Sequence, residues 1–283
     1  MALCIGDKKE MKAKFRQSGI TLMEMIVVIA TAALLAVFGL PAIRTFVGSF
    51  ESQGSTKVMI SAGLASARAI AAREQRYAGI RFQNEYTEDD KGCQYMIFIV
   101  HDFGKTGLAN GFRAVEGIEP IKLPDTVGVM DLRIVTNRNV VSPANSQETQ
   151  LDDILINEDH ELTDTTTFSI IFSPSGKLVI HGIWVRNRDG EGDSPSYTNL
   201  SNDDVFNKKA KVDAGIAMFY QDDYFGSSNP DLGLGPEASR RSFVIYDRTV
   251  FEKVDENKRW SDYLEDLDFI YINPYTGRMI SAD

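Results

Sequence analysis

Between Met25 and Ile43 the chain carries 19 consecutive residues without a charge. At ~1.5 Å rise per residue a helix over that run is ~28 Å long, close to the hydrocarbon thickness of a bilayer. A basic segment with Lys8, Lys9, Lys12, Lys14 and Arg16 precedes it. The positive-inside rule then sets the N-terminus on the cytoplasmic side and the large C-terminal part outside. One carboxylate, Glu24, lies five residues into the hydrophobic stretch that opens at Ile20. A charge at such a place costs ~2.5–3.5 kcal/mol even on a lenient insertion scale. A plain anchor has no use for it, so Glu24 is the first candidate functional residue. A secretory signal removed further on is a poorer reading, because the run exceeds the usual ~7–15 residues and lacks a small-x-small cleavage site.

Gly19-Ile20-Thr21-Leu22-Met23-Glu24 resembles the cleavage motif of type IV prepilins and type II secretion pseudopilins. The resemblance implies that a prepilin peptidase cuts between Gly19 and Ile20 and that the new amino group of Ile20 is methylated. It also implies that Glu24 is the carboxylate used in assembly and that Gly39 and Pro41 kink the helix. Ile20 departs from the phenylalanine usual there. The motif covers about 30 residues, and the rest of the chain matches only loosely. A further stretch, Leu64 to Arg73, is similar to the end of the long helix in H-type minor pseudopilins. Phe172-Ser173-Pro174-Ser175-Gly176 is similar to a strand-turn element of that group.

The implied fold is α+β and pilin-like. A long N-terminal helix, transmembrane in its first half, packs against an antiparallel β-sheet head with long acidic loops. The expected divisions are a removed leader over 1–19, a transmembrane half over 20–43, an amphipathic half over 44–76 and an extracytoplasmic head over 77–283. In the amphipathic half, Val58, Ala62, Ala65, Ala69 and Ala72 follow a 4-3-4-3 spacing, which predicts the face that meets the sheet. Strand-like runs rich in Ile, Val, Phe and Tyr cover Tyr95–His101, Val127–Val135, Thr167–Ser173, Lys177–Val185, Ala214–Tyr220, Phe243–Phe251 and Phe269–Ile272. Ser173–Gly176 reads as a hairpin turn, and Lys258–Leu267 as a late helix. Residues 142–166, 186–204 and 221–239 read as exposed, mobile loops.

Net charge is -10, and removing the leader, whose charge is +3, leaves -13. Such a head repels phosphate, so no nucleic-acid partner is expected. Cys4 falls in the leader, which leaves Cys93 alone, without a disulfide partner and expected to be buried. Asn187, Asp189 and Glu191, with Gly192 following, take the first, third, fifth and sixth places of a calcium-loop spacing. The twelfth place is Thr198 rather than a bidentate glutamate, so calcium competes there with a solvated acidic loop. His101, His160 and His181 sit with no triad or metal spacing. Asp102-Phe103-Gly104 and Gly104-Lys105-Thr106 lack the companions that kinase and phosphate-loop motifs need.

Two function classes follow. One is a non-enzymatic structural subunit, minor rather than shaft-forming, of a type II secretion pseudopilus or type IV pilus-like fibre. Its partners are the prepilin peptidase, other pilin subunits and an inner-membrane assembly platform. Its place is the bacterial inner membrane as a single-pass protein with a periplasmic head, and then the fibre. The other is a membrane-tethered binding or enzymatic head that only borrows the signal. Assembly needs the Glu24 carboxylate and a tether does not, which favours the first. No cofactor other than the calcium is expected.

Overall fold

The computed structural model describes residues 22–87, 92–137, 147–157, 165–191, 201–222 and 236–281, with the backbone alone at 22, 24, 30, 32–53 and 134–137. The chain divides into two compact units, Met1–Gly48 and Ser49–Asp283. A helix, α1, covers Leu22–Glu74 and contains Gly39 and Pro41 within its span. It ends where Gln75 adopts a left-handed φ of 54° and Arg76 N–H bonds back to the Ala71 carbonyl at 3.3 Å. That is a left-handed cap served by a residue other than glycine.

The second unit is β-rich. Its main sheet has eight strands. They are β1 (Ala78–Asn84), β2 (Gln94–His101), β3 (Gly111–Ala114), β4 (Ile121–Lys122), β8 (Phe168–Phe172), β9 (Leu178–Val179), β10 (Gly182–Val185) and β13 (Glu237–Ala238). The order is β13-β10-β3-β2-β1-β8-β9, with β4 also on β2. A second sheet runs β16-β15-β14-β5, formed by Met279–Ser281, Ile270–Ile272, Ser242–Asp247 and Val127–Met130. Two ribbons complete it: β6 (Arg133–Asn137) with β7 (Gln147–Gln150), and β11 (Phe206–Asn207) with β12 (Phe219–Tyr220).

The expected fold class is corrected in three respects. The main sheet is mixed rather than antiparallel, because β10 pairs with β3 in parallel, and the separate β11–β12 ribbon is parallel as well. Parallel pairing needs a crossover, and the chain between β3 and β10 supplies one, passing through β4, β5, the β6–β7 ribbon, β8 and β9 on the way. Next, no helix among the described residues is long and apolar enough to cross a membrane. The transmembrane half and the single-pass inner-membrane location are therefore not supported. Finally, the fold as a whole is a β-rich domain of curled sheets with otherwise short helical turns, rather than a pilin-like sheet laid on a membrane helix.

The helix face is corrected too. Val58, Ala62, Ala65, Ala69 and Ala72 are exposed, whereas Thr56, Ile60, Gly63, Leu64, Ala67, Ile70 and Ala71 are buried. Both stripes have helical spacing. The stripe with the larger side chains removes more apolar surface from water and takes the inside. Ile60, Leu64, Ala67, Ile70 and Ala71 join one core with Ile80 and Phe82 of β1, Met96, Phe98 and Val100 of β2, and Ile170 and Phe172 of β8. Gly63 allows the close approach, since a Cβ there would lie 2.5 Å from the Met96 sulfur. Arg68 clamps the helix from its half-buried side. Its guanidinium donates to the carbonyls of Gly176 at 2.8 Å, Tyr275 at 3.0 Å and Thr276 at 3.0 Å.

The expected hairpin is present. Gly176 has a φ of +74° and donates to the Ser173 carbonyl between β8 and β9. Several strands are shorter than expected. The run Val127–Val135 breaks at Asp131 and Leu132, and Phe243–Phe251 turns into a helical turn, Arg248–Phe251, once Asp247 caps it. Of Ala214–Tyr220 only Phe219 and Tyr220 are strand. The expected helix Lys258–Leu267 becomes a 3-10 turn over Glu256–Lys258 and a π turn over Trp260–Leu264, capped by Asp153 through the Trp260 and Ser261 amides at 2.8 and 3.1 Å.

Candidate functional site

The expected processing residues Gly19 and Ile20 lie outside the described residues, and Glu24 is described by its backbone within α1. What surrounds Glu24 is plain. Met23, Met25, Ile26, Val27, Val28 and Ile29 are all between 54% and 76% exposed. Consecutive positions on a helix point in every direction, so this segment is apolar on all sides. Thr31 satisfies its hydroxyl within the helix, donating to the Val27 and Val28 carbonyls at 2.9 and 3.0 Å, which leaves it no demand for water. Such a segment favours burial by another apolar body.

The head contains two buried charge clusters that periodicity did not reveal. Arg81, in the middle of β1, is 1% exposed. It donates to Asp222 at 2.7 Å and to Gln83 at 2.8 Å, and lies 3.5 Å from Glu237. Asp222 in turn accepts from the Val185 amide at 2.9 Å, which ties the segment beyond β12 to β10. Residues 186–191, 201–204, 221–222 and 236–239, within segments expected as exposed loops, thus carry buried margins. With Val205, Phe206 and Phe219 they cover the second face of the main sheet, against Ile97, Ile99 and Ile171.

The second cluster sets Arg240 between Asp131 and Glu148. It borders a cleft of about 270 Å³ lined also by Arg133, Arg241 and Ile180. Burial pushes the Asp131 carboxyl up to about 6, against the pull of Arg240 and with the repulsion of Glu148. Arg240 stays cationic, because its three acidic neighbours outweigh its own burial. Glu148 fastens the β6–β7 ribbon to the head through this contact.

The remaining candidates resolve into structure. The Asn187 side chain donates to the Glu191 carbonyl and accepts from the Glu191 amide, both at 3.1 Å, Asp189 accepts from Ser201 at 2.6 Å, and Glu191 pairs with Lys208 at 3.3 Å. The three calcium candidates thus have hydrogen-bond or ion-pair partners within the chain, and Gly192 and Thr198 lie outside the described residues. No group of three or more His, Cys, Asp or Glu able to hold a metal occurs among the described residues. His101 and His181 sit 6.0 Å apart around Tyr77 and Phe112. Burial, with His101 nearby, lowers the His181 pKa although its bond to the Gly182 carbonyl opposes this. His160 lies outside the described residues. Asp102 caps the turn Phe103–Thr106 and pairs with Arg113 at 2.8 Å and Arg76 at 3.1 Å. Its burial would raise its pKa, but those partners hold it below the usual carboxylate value. Cys93 is half-buried rather than buried, its sulfur 3.3 Å from Asp125.

Compared with family models, with curated proteins and with solved structures, the chain finds no match.

Proposed function

We propose that this chain is a non-enzymatic structural subunit, a minor one, of a pilus-like fibre of the type II secretion or type IV kind. A prepilin peptidase cuts it between Gly19 and Ile20, and it joins other subunits through the first part of α1. One observation carries this reading: the six apolar side chains around Glu24 that stand exposed on every side of the helix. Apolar surface of that kind gains ~25 cal/mol per Å² when neighbouring helices cover it. In such a bundle an unpaired carboxylate is costly, and so is an unpaired ammonium at Ile20. Pairing Glu24 with the Ile20 amine of a neighbour offsets both and sets the axial stagger. The resemblance of Gly19–Glu24 to prepilin motifs points the same way. A large, loop-rich head would crowd a densely packed shaft, which favours a minor role.

Glu24→Ala tests this. Processing should remain and incorporation into sheared fibre fractions, or crosslinking to other subunits, should be lost. Normal incorporation of the alanine variant would remove the assembly role of Glu24 and leave a head that merely borrows the signal.

A further inference from the structure

Beyond the fibre reading, the head carries a groove that nothing above uses. It has a volume of about 750 Å³ and lies between the ends of β1 and β2, the β3–β4 connection and the segment 204–218. Tyr86, Tyr95, Ile118, Ile216 and Met218 line it with Glu85, Glu119 and Asp204. Its one lining arginine, Arg188, is committed to Asp203 at 3.6 Å and Asp204 at 3.3 Å. Glu119 is exposed and has no ion pair among the described residues. Glu85 accepts from the Tyr95 hydroxyl at 3.3 Å, which leaves its other oxygen able to accept a further donor. A groove of mixed polar and apolar lining, with Glu119 unpaired among the described residues and a Glu85 oxygen able to accept, fits a ligand that is itself apolar and cationic.

The chain displays the recognition chemistry at the groove's edge. Lys209 places its ammonium 5.7 Å from the centroid of Tyr86 and 5.6 Å from that of Tyr220, and Asp213 holds it at 2.9 Å. An ammonium on tyrosine faces beside a carboxylate is therefore a stable arrangement in this part of the fold. Tyr95 with Glu85 repeats the pair inside the groove, and Lys122, opposite Tyr95 on β4, is drawn away to Asp125 at 3.0 Å.

We propose that this groove binds an extended peptide in which basic and apolar side chains alternate. An ammonium or guanidinium enters between Glu85 and Glu119 over Tyr95, and the apolar neighbours lie on Ile118, Ile216 and Met218. Alternation suits an extended strand, whose successive side chains point to opposite sides. The overall charge of -10 steers such a partner toward the head.

The test uses the full chain in a zwitterionic detergent and a fluorescein-labelled octapeptide of alternating lysine and leucine, read by anisotropy. A glutamate–leucine octapeptide is the control. The lysine peptide should bind, more weakly as salt rises, and the glutamate peptide should not. Glu85→Gln with Glu119→Gln should weaken binding about tenfold or more. Glu119→Gln alone, at an exposed position, should act in the same direction with an unchanged melting temperature. Glu265→Gln with Asp266→Gln, exposed acids outside the groove, should leave affinity within about twofold. Absence of binding, equal binding of both peptides, or equal losses from both pairs of substitutions would overturn the proposal. Glu24→Ala should leave peptide binding intact, so failure of the fibre reading and failure of the groove are told apart.

Discussion

Two apolar stretches of α1 have opposite fates. Met23 and Met25 to Ile29 are exposed, whereas Ile60, Leu64, Ala67 and Ala71 are wholly buried against β1, β2 and β8. Composition does not separate them, for the first is the more apolar. What differs is the presence of a sheet whose residues have volume to receive the second. The comparison teaches that hydrophobicity states a demand for burial, and the neighbouring chain decides whether it is met within the same molecule.

The largest expected effect tests this directly. Leu64→Ala should lower the unfolding free energy by ~2–5 kcal/mol, the range for truncating a buried leucine. Val27→Ala should leave it within about 0.5 kcal/mol, because an exposed methyl has no folded neighbours to lose. Chemical denaturation of both variants reads the difference, and equal losses would mean that the first stretch is packed within the same molecule.

A charge gives the next test. The folded pKa of Asp131, about 6, lies above its ordinary 3.8. The folded chain therefore holds that proton more tightly than the unfolded one. The stabilisation is fully present below ~4 and is lost as pH rises through about 6. Its size is at most about 3 kcal/mol, from ~1.4 kcal/mol for each pH unit between the two values. Asp131→Asn should flatten the melting temperature across pH 4 to 6 (approximately the window between those values). An unchanged slope would show that Arg240 keeps the carboxylate ionised throughout.

The smallest effect sharpens the packed half. Arg68→Met keeps the aliphatic stem and removes three bonds to the carbonyls of two turns. A loss of ~1–2 kcal/mol is expected. Amide exchange should quicken most around Gly176 and Gly277, and uniform exchange would deny Arg68 a role as a clamp.

Much of the head was readable from local pattern. The strand at Tyr95–His101, the hairpin at Ser173–Gly176 and the helical character up to Glu74 follow from spacing and turn chemistry, which act over a few residues. The candidate assembly residues were readable only as a motif, and the described residues leave Gly19 and Ile20 untouched. Strand β1 was missed because Arg81 and Gln83 make it look polar. Its burial depends on Asp222 and Glu237, partners 141 and 156 residues further on. The choice between the alanine stripe and the Ile60–Leu64–Ile70 stripe was equally beyond reach. Both satisfy the helical period, and the sheet selects the bulkier one.

By itself, then, the sequence determined the helical character up to Glu74, the strand at Tyr95–His101 and the turn at Ser173–Gly176, and it marked Glu24 as an acid among apolar neighbours. Backbone preference and side-chain period are properties of adjacent residues. Only the tertiary structure decided which helix face is inside, that β3 and β10 run parallel, and that Arg81 and Arg240 are buried with their acids. Those outcomes depend on volume and charge contributed by segments far apart in the chain, whose meeting no local pattern encodes.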